Sequence, residues 1–219
     1  MRKMSTEICY NEGLFFDIGS NVGLWSIANM PKAKTIVSVE ASPTTFIQLV
    51  KNISEHKNIL ALNYAVCNNN CEDITFYEAA SNTLSTLNKE WLTSPESRFY
   101  NIRYGVIQCK TTTIDKLIES YGMPELIKID VEGGEYECLS SLTKKTKCLC
   151  FEWASETNNI TIKCLDYLHE LGFTKFYIQY LDDYTFRPSE QSYTTDLNKI
   201  KQDLSNTIPR DHWGMIWCM

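Results

Sequence analysis

Four carboxylates stand at the ends of apolar, strand-like runs. Asp17 follows Leu14-Phe15-Phe16, Glu40 follows Thr35-Ile36-Val37-Ser38-Val39, Asp130 follows Leu126-Ile127-Lys128-Ile129, and Glu152 follows Cys148-Leu149-Cys150-Phe151. Laid side by side in a doubly wound sheet, these strands carry all four acids to one carboxyl edge, where such sheets bind ligands. Like charges that close raise one another's pKa and cost stability unless a cation sits among them. A bound cation or a cationic ligand is the natural compensator. Lys128 is a second oddity, lying inside an apolar run on a strand expected to be covered on both faces. It shares side-chain parity with Asp130 and can neutralise an acid of the row; otherwise it snorkels to the surface. Glu132 follows Asp130 by two residues, and Gly133-Gly134-Glu135 opens a helix. Asp130, Glu132 and Glu152 are therefore candidates to activate a hydroxyl, with Lys128 as electrostatic partner. Asp130 and Glu152 are also candidate ligands for a divalent cation such as Mg²⁺. The alternative for Glu132 and Glu135 is to complement a helix dipole.

Strand and helix signals alternate around these residues. The run Leu14–Ile18 enters the turn Gly19-Ser20-Asn21-Val22-Gly23, and a helix follows that must stop before Pro31. This is a buried strand, a tight glycine turn and a helix N-terminus, where a ligand can touch bare backbone. Asp17 is placed to hold a ligand's amino group, directly or through water, and Glu40 to accept two ribose hydroxyls. Ala41 and Ser42 continue from Glu40, with Ser42-Pro43 as N-cap and first residue of a second helix. Ile59 to Val66 reads as the third strand and its exit, so that Asn63 to Val66, Ala65 among them, flank a base. From Asp73 to about Thr112 the rhythm breaks into an insertion with a small β-pair, expected to stand over the carboxyl edge. A helix over Thr113–Ile118, the strand ending at Asp130, a helix over Gly134–Leu142, the strand ending at Glu152, a helix over Ile160–Leu171 and a strand over Phe173–Tyr180 follow. A polar tail from about Pro188 to His212 leads to a last strand at Trp213–Trp217. The spacing G-x-x-x-G lacks the third glycine of a dinucleotide fingerprint, and no G-K-[ST] occurs.

The bulk composition bounds the rest. The chain has 219 residues, 43% of them hydrophobic, which suits one globular domain with its own core. A net charge of −6 without a Lys/Arg run makes bulk nucleic acid a poor partner. The polar N-terminus shows no secretory signal, and no apolar run is long enough to span a bilayer. Of nine cysteines, Cys109, Cys148, Cys150 and Cys218 sit in strand-like runs, and no C-x-x-C occurs. Free thiols in a reducing cytoplasm are the expectation. His169 falls in helix periodicity and reads as packing or surface; His212, beside the last strand, is an outside candidate for a base.

The ordered set F-D-I-G-S-N-V-G, V-E-A-S-P, N-Y-A-V, T-T-I-D-K-L, I-K-I-D-V-E-G-G-E and F-E-W resembles the FkbM-type methyltransferases, over roughly residues 13 to 178. The I-K-I-D-V-E-G-x-E segment is the specific part. The resemblance implies a Rossmann-like class I methyltransferase fold, an α/β domain whose seven-stranded, mostly parallel sheet runs 3-2-1-4-5-7-6 with the last strand antiparallel. It implies S-adenosylmethionine as cofactor, whose ammonium, sulfonium and ribose suit the acidic row. It also implies O-methylation of hydroxyls on sugars or related small molecules, here a sugar, glycan or nucleotide-sugar acceptor. Two rivals are an RNA ribose 2′-O-methyltransferase, against which the acidic charge argues, and a catalytically silent binding subunit, against which the intact Asp17, Gly19, Gly23, Glu40 and Asp130 argue. Little precedes the first strand, so the insertion and the polar tail are expected to shape the acceptor site.

Overall fold

The computed structural model describes residues 13–68, 72–207 and 212–219. Its centre is a seven-stranded sheet. In spatial order the strands are β3 (Ile59–Asn63), β2 (Ala33–Glu40), β1 (Gly13–Ile18), β7 (Leu126–Ile129), β8 (Leu149–Ala154), β10 (Trp213–Cys218) and β9 (Phe176–Tyr180). Only β10 runs against its neighbours, pairing antiparallel with both β8 and β9. This is the order expected from the sequence, with the extra strands of the insertion counted in.

Because the central strands are covered on both faces, they read as continuous apolar runs; all four residues of β7 are buried. Period-two alternation then divides the core. Phe16, Ile18, Ile127, Ile129 and Phe151 face one layer, formed by α4 (Ile114–Tyr121), α5 (Glu135–Leu139), α6 (Asn158–Glu170) and α7 (Leu197–Ser205). Phe15, Leu126, Cys148 and Cys150 face the other, with α1 (Leu24–Asn29) and α2 (Pro43–Asn52). Asp17 lies opposite Ser38 and Lys128 in register, and Lys128 opposite Cys150, all on this second face. The same parity carries Glu40, Asp130 and Glu152 to that face at the strand ends.

Local signals account for the element ends. Ser42 caps α2, its Oγ accepting from Thr45 N at 3.1 Å, with Pro43 as the first helical residue. Gly23 (φ 90°) starts α1, and a 3₁₀ turn at Met30–Lys32 absorbs Pro31. Helix α5 is shorter than its apolar spacing suggested and ends at Leu139. Ser140 and Ser141 turn their hydroxyls onto the carbonyls of Glu137 and Cys138, which competes with helix continuation.

The insertion differs from the expected β-pair. It is a three-stranded sheet in the order β4 (Ala65–Val66), β6 (Tyr104–Thr112), β5 (Asp73–Ala79), in which β4 pairs parallel with β6. The chain leaves the main sheet at Tyr64 because the Asn63 amide donates to the carbonyls of Glu40 and Ala41, at 2.8 and 3.0 Å, where a ladder bond would otherwise continue. A short helix, α3 (Lys89–Thr93), and the segment before it complete the insertion. Much of the polar tail is α7, whose Ile200 and Leu204 pack into the core beside α6. The seven cysteines among the described residues are buried; Cys9 and Cys71 lie outside them. Among the described residues no helix is long and apolar enough to cross a membrane.

Candidate active site

The turn after β1 is held by the end of β2. The backbone amides of Gly19 and Ser20 both donate to Val39 O, at 2.9 and 3.0 Å. Glu40 receives a hydrogen bond from Asn21 N on one carboxylate oxygen (2.9 Å) and from Ser42 N on the other (2.8 Å). Its carboxylate is thus fixed in direction while each oxygen keeps a further lone pair. Burial pushes its pKa up to about 7, and the two amides only partly oppose this. Gly19 has φ 72°, and a Cβ there would lie 1.7 Å from Asp130 O, so the loops after β1 and β7 cross backbone to backbone. A Cβ on Gly23 would press on Leu49 of α2. The chain's own packing, then, demands both glycines.

A cavity opens over these strand ends. Its apolar wall is Ile18, Val39, Ala41, Tyr64, Ala65 and Phe76, and its polar groups include Gly19, Asn21, Glu40, Asp130 and Glu132. The insertion roofs it. Thr86 pairs with Tyr77 through both backbone hydrogen bonds, and its hydroxyl donates to Glu132 O at 2.6 Å. Asn82 donates to Asn21 Oδ1 at 2.8 Å. The roof therefore joins the glycine turn to the loop after β7.

Asp17 does not line this cavity. It is fully buried on the α1 face, where Ser26 Oγ donates to its Oδ2 at 2.6 Å and Lys128 Nζ lies 3.3 Å from its Oδ1. It lies one pleat inside the strand ends, between Ser38 and Lys128, rather than at the edge. Ser20, Gly23 and Ser42 likewise stand behind the cavity wall, as supports of the turn and of α2. Lys128 does not snorkel. It is buried, donates to Gly19 O at 2.9 Å, and lies 3.2 Å from Asp130 Oδ2. Burial alone would lower its pKa, but the charges of Asp130 and Asp17 outweigh that and hold it well above the ordinary lysine range. One ammonium thus ties the glycine turn, the buried acid of β1 and the acid at the end of β7.

Beyond Asp130 the acids converge. Carboxylate oxygens of Asp130, Glu132 and Glu152 all lie within 4.8 Å of one another. Trp91 Nε1 donates to Glu132 Oε2 at 3.1 Å, and Glu132 itself has φ 56°. Burial first, then the neighbouring acids, raise the pKa of Glu132 and of Glu152 well above the usual carboxylate range. Glu135 takes the structural role: its Oε1 accepts from Val131 N and Gly133 N, at 3.2 Å each, closing the loop before α5. Burial pushes its pKa to about 7. His169 packs at the end of α6, facing Phe173 O at 3.3 Å, and the ring of His212 lies edge-on to Tyr180.

The arrangement fits a cationic nucleoside. An apolar wall faces a carboxylate fixed in direction by two backbone amides, and the next acids along the edge outnumber the one lysine among them. The oxygen-only trio also suits a hard divalent cation. Sequence reasoning missed Phe76, Asn82 and Trp91 as site residues. A faint signal existed in Leu84 and Leu87, set in the otherwise polar run Ser81–Asn88, since apolar side chains in a loop imply that the loop packs down.

A family model of the methyltransferase FkbM domain matches residues 17–188. The hexuronic acid methyltransferase AglP of Haloferax volcanii is 26% identical over 154 residues, covering 68% of this chain and 58% of that protein. The chain thus spans little more than half the length of that relative. Among solved structures, a methyltransferase FkbM from Methylobacillus flagellatus KT superposes with a TM-score of 0.52 at 12% identity, covering 95% of this chain and 44% of the other. A precorrin-6y C5,15-methyltransferase from Geobacter metallireducens GS-15 gives 0.51 at 9% identity, covering 95% and 80%. At such identities the likeness speaks for the shared class I fold.

Proposed function

The chain belongs to the FkbM family of S-adenosylmethionine-dependent methyltransferases, and on that premise we propose that it methylates a hydroxyl of a sugar, glycan or nucleotide-sugar. The observation that carries this reading is the adjacency of two acid sets on one cavity: Glu40, held by two backbone amides, and Asp130 with Glu132, beside which Glu152 clusters. S-adenosylmethionine, when bound, supplies an electrophilic methyl group on a sulfonium. Glu40 would accept the two ribose hydroxyls on its remaining lone pairs. Ala41, Tyr64, Ala65 and Phe76 would flank the adenine and exclude water from it. Asp130 and Glu132 would face the cationic end.

An alcohol is a weak nucleophile while it keeps its proton. Asp130, ion-paired to Lys128, accepts that proton; Lys128 fixes the carboxylate's direction through Gly19 O and Asp17. Asp130, Glu132 and Glu152 would also hold a divalent cation, which would polarise the acceptor oxygen. Much of the acceleration then comes from holding the acceptor in line, because positioning alone supplies several kcal/mol. The sugar acceptor is favoured by the relative named for hexuronic acid methylation.

Asp130→Asn is expected to abolish methyl transfer to a sugar panel, assayed with and without Mg²⁺, while calorimetry still shows S-adenosylmethionine bound, only more weakly for the loss of one of the two carboxylates at its cationic end. Turnover retained in the variant removes Asp130 from the mechanism. Absence of cofactor binding by the wild type at submillimolar ligand sinks the enzyme reading.

A further inference from the structure

One segment of the insertion grips the loop after β7. The Thr86 hydroxyl donates to Glu132 O at 2.6 Å, Asn88 Nδ2 to Gly133 O at 3.2 Å, and Trp91 Nε1 to Glu132 Oε2 at 3.1 Å. Gly133 lets them approach: a Cβ there would lie 3.3 Å from Asn88 Nδ2 and 3.4 Å from the Trp91 ring. The grip is itself fixed. Trp91 is buried and edge-on to Phe99, with ring centres 5.0 Å apart, and its carbonyl accepts from Ser97 Oγ at 2.6 Å. Asn88 caps α3, its Oδ1 accepting from Glu90 N at 3.1 Å while its Nδ2 holds Gly133. What is gripped would not stay by itself. Glu132 has φ 56°, a left-handed conformation at a residue other than glycine, and its carboxylate lies among those of Asp130 and Glu152. Backbone strain and like charge both oppose that placement, and such placements persist where the surroundings over-determine them.

The three acids on the cavity wall differ in what already satisfies them. Glu40 is held by two backbone amides, Asp130 lies 3.2 Å from the Lys128 ammonium, and the Glu132 carboxylate receives the neutral indole N–H of Trp91. The ion pairs of Lys128 go to Asp17 and Asp130. Glu132 is therefore the wall acid left to be met by a cation that the ligand brings. We propose that Trp91 is a positioning residue, which together with Thr86 holds the Glu132 carboxylate where it meets the ammonium on the amino-acid tail of S-adenosylmethionine. This rests on the cofactor reading above and adds which acid takes the tail and what aims it. The sulfonium is the poorer partner for Glu132. A carboxylate beside it would stabilise a charge that methyl transfer discharges, whereas the ammonium keeps its charge throughout. The indole suits the task because it donates one directed hydrogen bond and adds no positive charge of its own, so the carboxylate still needs the ligand's. Held in advance, Glu132 gives up little freedom when the cofactor binds.

The test is calorimetric titration of the full chain, in metal-free buffer, with two ligands. S-adenosylhomocysteine keeps the amino-acid tail; 5′-methylthioadenosine keeps the base and ribose and ends in a methylthio group. The wild type is expected to bind the first more tightly by about tenfold or more, as one charge-assisted hydrogen bond contributes. Trp91→Phe keeps a ring against Phe99 and loses the N–H. It should weaken S-adenosylhomocysteine by about fivefold and leave methylthioadenosine within about twofold. Glu132→Ala should weaken S-adenosylhomocysteine by about tenfold, and adding Trp91→Phe should cost nothing more, because the indole then has no carboxylate to aim. Displacement of the insertion as a whole would instead weaken both ligands and add to the Glu132→Ala loss. Should Trp91→Phe show no cooperative unfolding in urea, Thr86→Val, which removes the hydroxyl bonded to Glu132 O, takes its place with the same expectations. If the wild type binds neither ligand at submillimolar concentration, the cofactor reading falls and this inference with it. The cofactor reading stands and the role of Trp91 is overturned by any of three results: no wild-type preference between the ligands, a variant that weakens both alike or neither, or losses that add in the double variant.

Discussion

Protonation of Glu40 offers a direct handle on the cofactor site. The carboxyl moves from an ordinary 4.5 to about 7 on folding, chiefly through burial, against the pull of the amides of Ser42 and Asn21. The folded state therefore binds this proton more tightly than the unfolded chain, by on the order of 3 kcal/mol at about 1.4 kcal/mol for each tenfold in acidity constant. The sign follows from linkage. The stabilisation is fully present below the unfolded value, fades as pH rises from 4.5 to about 7, and is gone above that. Glu135, also raised to about 7, adds a slope of the same sign in the same window. The cofactor responds oppositely, because ribose hydroxyls donate to the ionised carboxylate. Its affinity should strengthen with pH by up to about tenfold per unit below 7 and level off above. Urea unfolding and calorimetric titration with S-adenosylmethionine, run from about pH 5 to about pH 8 on the wild type and Glu40→Gln, measure both slopes. In Glu40→Gln the stability slope should shrink to the part that Glu135 and its neighbours contribute. The affinity should be weak and flat. Identical stability slopes in the two proteins, together with a pH-independent cofactor affinity in the wild type, would refute the reasoning.

Two further outcomes follow from the packing. Lys128→Met leaves Asp17 buried without its cation and frees the carbonyl of Gly19, so unfolding free energy in urea should fall by about 3–5 kcal/mol; adding Asp17→Asn should recover part of that loss. Gly19→Ala forces a Cβ against the Asp130 carbonyl at φ 72°, whereas Gly23→Ala, also at positive φ, meets the movable end of Leu49. Both should destabilise, the first by roughly 3 kcal/mol or more and the second by less, as read from urea midpoints at constant m-value.

Strand order and the acid row were legible without coordinates because both depend on local rules. Apolar runs bounded by turns mark the strands, right-handed crossovers restrict their order, and period-two parity assigns Glu40, Asp130 and Glu152 to one edge. Asp17 shares that parity yet departs from the row's chemistry. It lies one step further inside β1, so its carboxylate meets Ser26 and Lys128 rather than the cavity. Nothing in the local pattern distinguishes an acid that faces a ligand from one that faces a buried lysine. That choice depends on the register between β1 and β7, strands separated by about half of the chain.

By itself, then, the sequence determined the sheet, the glycine turn, the acids at the strand ends and the family they resemble. Tertiary structure alone decided that Gly19 exists to pass the Asp130 carbonyl, that the insertion's Asn82 and Thr86 roof the cavity, and that Asp182 and Tyr184 stand beside Asp130. The physical reason is range. Propensity and periodicity act over a few residues, whereas these contacts join loops whose positions are set by strands and helices far away in the chain, as Asn29 sets Tyr184.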